Sequence, residues 1–129
     1  MLLEMAGFTI ALKIVPPAGP NAKSILASLE SLAALPFDGF SVAINTVAKP
    51  RMSALALCAL VQQRRGRPAI LHCTTRDHNR LSIQGLLWGA WPLGIEAVLV
   101  ATGDFVRLGD RARTTTVRDV DVFDLVRLG

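Results

Sequence analysis

The chain has 129 residues and a mass of 13.8 kDa, room for one domain of ordinary size and no more. Apolar residues make up 51% and charged residues 19%, and mean hydropathy is +0.42, which excludes a disordered chain. Charges interrupt the apolar runs well short of the roughly 20 residues a membrane-spanning helix needs, so no membrane segment is expected. There are 14 basic residues against 10 acidic ones, but the arginines are scattered from Arg51 to Arg127 and no basic run exceeds Arg64-Arg65. That pattern suits small anionic ligands, phosphates above all, and not nucleic acid.

The first seven residues carry Glu4 and no basic stretch, so no secretory signal is expected and a reducing cytoplasm is the default compartment. Cys58 and Cys73, with only His72 and His78 nearby, match neither a disulfide framework nor a zinc spacing. Both are expected as buried thiols, with no metal site.

Residues 8–15 read as a strand of β-branched and aliphatic residues, ended by Pro16-Pro17. A helix follows, with Asn21 as its N-cap and Ile25, Leu29, Leu32 and Ala33 on one face. Residues 37–43 form the second strand, entered through Asp38-Gly39. After a loop through Asn45, Lys49 and Pro50, Ser53 caps a second helix whose stripe is Leu57, Leu60, Val61 and Arg64, and Gly66 stops it. The third strand spans residues 69–73 and hands over to the polar run Thr74-Thr75-Arg76-Asp77-His78-Asn79-Arg80. A third helix runs over residues 81–91 until Gly94. Residues 97–101 form a fully apolar fourth strand, expected to be buried on both faces. Beyond Thr102-Gly103-Asp104 a loop rich in Arg, Asp and Thr leads to a last helical stretch over residues 120–128. Trp88 and Trp91 read as helix-on-sheet packing, with a partner-binding stripe as the other explanation.

Strands alternating with helices imply an α/β fold with a parallel sheet and right-handed crossovers. Each strand ends in its own polar or special cluster: Pro16-Pro17, Asn45-Thr46, His72 to Arg80, and Thr102 to Asp104. In a barrel these converge on the carboxyl-terminal face, whereas a doubly wound sheet gathers them at one switch point. Pro16-Pro17-Ala18-Gly19-Pro20 cannot form the Gly-rich dinucleotide turn. The expected architecture is therefore four consecutive βα units, half of a (β/α)8 TIM-type barrel, in a single domain over residues 1–129.

The segment Ile70-Leu71-His72-Cys73-Thr74-Thr75-Arg76-Asp77-His78-Asn79-Arg80, followed by Gln84, Gly94-Ile95 and Thr102-Gly103-Asp104, resembles methylenetetrahydrofolate reductase, a flavin-dependent barrel enzyme of one-carbon metabolism. Val15-Pro16-Pro17, Arg51-Met52-Ser53, Leu108-Gly109-Asp110 and the stretch 117–121 extend the resemblance over nearly the whole chain. It implies FAD at the carboxyl-terminal mouth, a reduced nicotinamide as electron donor, and reduction of 5,10-methylenetetrahydrofolate to 5-methyltetrahydrofolate, on the way to methionine biosynthesis. It further implies that Asp104 sits near flavin and folate in a catalytic role and that His72 lies beside the flavin. Asn45, Thr102 and Gly103 join the cofactor set, and Arg76 helps to place a phosphate or the pterin.

Each of these residues has a structural explanation as well. Asp104 would be a turn or cap aspartate, His72 a buried histidine bonded to nearby backbone, and Arg76 and Asp77 a mutual pair or a cap for the third helix. Two departures from the family pattern bear on chemistry. Lys13 stands where the family has the glutamate that protonates the folate, and of the polar turn after strand two, Ala43-Ile44-Asn45-Thr46 keeps only the asparagine. A whole barrel takes about 250 residues, so the chain reads as truncated relative to it, and a second copy or a separate half-barrel chain is expected to complete the ring. The alternatives to an enzyme are a non-catalytic folate- or flavin-binding half-barrel and an inactive fragment.

Overall fold

Strands Ala11–Ile14 (β1), Gly39–Val42 (β2), Ala69–Thr74 (β3) and Ala97–Ala101 (β4) pair side by side, all parallel, in the order β1-β2-β3-β4. The structure is a computed structural model and describes residues 7–109 and 113–129. Glu4 and Met5, and Asp110 of the Leu108-Gly109-Asp110 match, lie outside the described residues. Helices Lys23–Glu30 (α1), Ala54–Arg65 (α2), Arg80–Ala90 (α3) and Val122–Leu128 (α4) follow the four strands in turn. Among the described residues no helix is long and apolar enough to cross a membrane.

The register sorts the side chains into two faces. Ile14, Val42, Leu71 and Val98 are lateral neighbours, and with Phe40 and Cys73 they form the face that packs on the helices. Leu29 of α1, Leu57 and Val61 of α2, Ile83 of α3 and Leu125 of α4 are the buried residues that meet it. Every helix therefore lies on one side of the sheet. A doubly wound sheet carries helices on both sides, whereas sequential strand order with one helical layer is the winding of a TIM-type barrel. The opposite face, with Lys13, Ser41, Ile70, His72 and Leu99, is the inner one, and none of the described helices covers it.

Local chemistry explains the element ends. Ser53 caps α2 by accepting from the Ala56 N–H at 3.3 Å, and Gly66 ends the helix in the left-handed region at φ +62°. Asn79 does the same for α3, accepting from the Ser82 N–H at 2.9 Å. Asp121 and Asp124 form a reciprocal capping box at the start of α4. Both cysteines are buried thiols, as expected, and burial pushes Cys58 up to about 12 and Cys73 up to about 11.

Four expectations need correction. The first strand does not begin at Phe8, which is 92% exposed. The Asp38 side chain accepts from the Ile10 N–H at 2.7 Å, in place of a ladder bond, and pairing starts at Ala11. Helix α1 ends at Glu30, so Leu32 and Ala33 fall in the turns beyond it, and Asn21 accepts from the Lys23 N–H just outside the cap position. Ser28 and Ser31 hydroxyls bond back to carbonyls of that helix, a competition that weakens its last turns. Strand β4 has the expected span but is not buried on both faces, since Leu99 is 42% exposed on the inner side. Trp88 and Trp91 do not pack on the sheet; they are 70% and 73% exposed.

Leu57→Ala should lower unfolding free energy by about 2–5 kcal/mol, because the side chain is fully buried between α2 and the sheet. Phe8→Ala should change it by less than about 0.5 kcal/mol. Urea denaturation of both variants checks the two-face assignment, which fails if the order of the two effects is reversed.

Candidate active site

At the carboxyl ends of β2, β3 and β4 the loops meet around Arg76, whose side chain is 3% exposed. Its Nε donates to Asp77 Oδ1 and its Nη2 to Asp77 Oδ2, both at 2.6 Å, in the bidentate geometry that favours arginine over lysine. Nη2 also donates to the Asn45 carbonyl at 3.2 Å, and Nη1 to the Asp104 carbonyl at 3.1 Å. Four of the five guanidinium N–H donors are thereby engaged within the chain. The Arg76 carbonyl in turn accepts from the Val117 N–H at 2.8 Å, which draws in the segment before α4.

Asn45 is part of the same network. Its amide donates to Asp77 Oδ2 at 3.1 Å, and its carbonyl oxygen accepts from the Arg51 N–H at 2.9 Å. Burial pushes the Asp77 carboxyl upward, but the hydrogen bonds from Arg76 and Asn45, together with the Arg76 charge, outweigh it and hold the group below the ordinary carboxylate range.

Asp104 Oδ2 accepts from the Val47 N–H at 2.7 Å. Val47 has φ +56°, and Asn45 and Ala48 are also left-handed. A β-branched residue there is strained, so the Asp104 carboxylate and the packing of Gly109 hold the loop in place. A Cβ on Gly109 would lie 2.2 Å from the Ala48 carbonyl oxygen, so only glycine fits. Gly103 has φ +91°, and a Cβ there would press on Arg76 and Thr74 at 3.2 Å.

On the inner face, deeper than this rim, Lys13 and Ser41 are lateral neighbours on β1 and β2. Ser41 Oγ lies 2.7 Å from His72 Nε2 on β3. Burial lowers the His72 pKa, the Lys13 charge lowers it further, and the ring is neutral at pH 7. The partner of His72 is thus a hydroxyl across the sheet, not nearby backbone.

The expected site residues form two groups: Lys13 and His72 share the inner face, while Asn45, Arg76 and Asp104 share one rim network. Thr102, Gly103 and Asp104 also line a cleft of about 750 Å³ with Arg76, Phe105 and Val117. Sequence reasoning missed Ser41 and the roles of Val47 and Gly109. Only Ser41 left a signal, since it stands between the apolar Phe40 and Val42 and so alternates onto the other face of its strand. Among the described residues no group of three or more His, Cys, Asp or Glu could hold a metal ion.

A family model described as methylenetetrahydrofolate reductase matches residues 2–128, nearly the whole chain. No curated protein matches it.

Arg76→Met should lower stability by about 3 kcal/mol, since it leaves Asp77 without its cation. In the parent, the depressed Asp77 carboxyl contributes stability that is present above about pH 4 and is lost as pH falls through its folded pKa. The variant should lose that acid sensitivity, and denaturation midpoints measured from pH 3 to 7 test this. Equal acid sensitivity in both proteins would remove Asp77 from the account.

Proposed function

Because the chain belongs to the methylenetetrahydrofolate reductase family, we propose that it takes part in flavin-dependent reduction of 5,10-methylenetetrahydrofolate to 5-methyltetrahydrofolate. The observation that carries this reading is the convergence of Lys13, Ser41 and His72 on an open sheet face below a rim that holds Asp104. FAD, when bound, supplies the hydride carrier between a reduced nicotinamide and the folate.

The donor set fits a planar ring that carries hydrogen-bond acceptors and gains negative charge on reduction. Lys13 offers an ammonium, and Ser41 and neutral His72 share one proton between Oγ and Nε2. Thr102, Gly103 and Asp104 supply the wall of the adjoining cleft. Asp104 keeps Oδ2 on the Val47 N–H, which leaves Oδ1 as an acceptor to orient a polar substrate. Arg76 supports binding from inside the wall, by fixing the Asn45 and Asp104 backbones.

Lys13 marks where the chain's chemistry differs from the family pattern. An ammonium stabilises negative charge developing over the inner face but is a far weaker acid than a carboxyl group. The hydride half of the reaction is thereby favoured and folate protonation slowed. The same residue supports a second reading, a folate- or flavin-binding half-barrel without turnover. Under either reading the inner face and the free edges of β1 and β4 are covered by further strands that complete the barrel. Leu99, 42% exposed on β4, belongs to the surface so covered.

The protein purified with excess FAD should show flavin absorbance that co-sediments with a species larger than a monomer. Lys13→Glu should raise turnover of methylenetetrahydrofolate at least tenfold while flavin is still retained. Flavin uptake without turnover in both proteins would favour the binding reading, and no uptake with or without a partner half would sink both.

A further inference from the structure

Behind the rim, where the starts of α2 and α3 come together, Arg51 and His78 line a cavity of about 150 Å³ whose other walls include Met52, Leu55, Leu71 and Leu86. Each of the two polar residues has one buried nitrogen without a hydrogen-bond partner, Arg51 Nε and His78 Nε2. Leaving such a group unpaired is costly, and more so for a charged one.

The chemistry of the two nitrogens decides what would satisfy them. Arg51 Nε can only donate. His78 Nδ1 lies 2.8 Å from Ser82 Oγ, and when that hydroxyl donates, the imidazole carries its hydrogen on Nε2 and presents a second donor. Burial lowers the His78 pKa, the largest of the influences on it, which favours the neutral ring, and in the tautomer with hydrogen on Nε2 that ring is a donor. Ala54 and Leu55, in the first turn of the 12-residue helix α2, line the same cavity. The Ser53 side chain accepts from Ala56 and leaves those two earlier amides to point along the positive end of the helix. No carboxylate lines the cavity. The one carboxyl whose charge reaches His78 is that of Asp77, which is held by Arg76 and Asn45.

We propose that this cavity binds one small, singly charged anion, a halide or a carboxylate of formate size, between Arg51 Nε and His78 Nε2. Donors without acceptors and a full positive charge call for an acceptor that is itself negative. The volume and the apolar walls exclude larger ligands, and a dianion would lose more hydration than one arginine returns. The anion ties the start of α2 to the start of α3 directly behind Asn45, whose side chain already accepts from the Arg51 N–H. It borders the rim network through Asn45, which lines the cavity and contacts Arg76 and Asp77, but it does not depend on the proposed reduction.

The test is a titration of ¹⁵N-labelled full chain with sodium formate, ionic strength being held constant with sodium sulfate, while the His78 Nε2 and Arg51 Nε resonances are followed. Both should shift along one saturable curve, and the His78 shift should vanish in Arg51→Gln. Linear shifts of equal size in sulfate alone, or no shift at all, would show a hydration pocket or bare screening and overturn the proposal. If Arg51→Gln fails to fold, crystals of the parent soaked in sodium bromide give the second measurement. An anomalous peak within hydrogen-bond reach of both nitrogens is expected, and its absence at saturating bromide overturns the proposal as firmly.

Discussion

Arg76 keeps a full positive charge almost wholly out of water, and three strand-to-helix loops close around it to make that tolerable. Removing a guanidinium from solvent is costly unless nearly every N–H finds an acceptor in good geometry. Here the bidentate Asp77 carboxylate supplies two of them, and carbonyls from the β2 and β4 loops supply two more. Asn45 and Asp104 therefore cannot move independently of β3. The Thr75 N–H, donating to the Ala101 carbonyl at 3.1 Å, adds a direct stitch between the β3 and β4 loops. The helical layer fixes where the strands lie, but the shape of the mouth comes from this polar network.

The inner face differs from the rim in kind. It contains no buried ion pair: a lysine, a serine and a neutral imidazole lie across three adjacent strands, with the histidine kept neutral by burial and by the lysine beside it. A face with a positive end and a shared hydroxyl proton favours a ligand that gains negative charge while bound. At the rim the opposite sign appears, in an exposed Asp104 whose Oδ2 is already fixed by backbone. The field across the mouth thus runs from lysine below to aspartate above. The proposed chemistry uses that gradient to orient a polar ligand, while the missing carboxylic acid at position 13 bears on a single proton transfer.

Strand and helix alternation was legible in the sequence because apolar period and turn residues agreed over most of the chain: Ser53, Gly66 and Gly94 end their elements as their chemistry dictates. The ordering of polar clusters at strand ends pointed to the barrel winding, and the single helical layer bears it out. What pattern could not show was set by tertiary pairing. Nothing local reveals that the Asp38 side chain takes a ladder bond from Ile10, that β4 leaves Leu99 open, or that Trp88 and Trp91 face away from the sheet. At the site, His72, Arg76 and Asp104 were visible as residue types at strand ends. Their pairings across strands were not, because Ser41, Asn45 and Val47 lie 31, 31 and 57 residues away along the chain.

The left-handed turn at Asn45, Val47 and Ala48 shows how far the rim departs from what local preference would choose. Such a turn persists only where surrounding contacts over-determine it. Asn45 is gripped on both sides of its amide, Val47 gives its N–H to Asp104, and Gly109 leaves the only space in which the Ala48 carbonyl can sit. Each of these contacts is polar or steric, and none draws on the apolar core. Mouth and core therefore respond to different variables: the core to side-chain volume and denaturant, the rim to charge, pH and the loss of any one partner. A change confined to the rim can distort the site while the sheet beneath it stays folded, which is why Asp104 acts on the geometry of the mouth through the Val47 N–H alone.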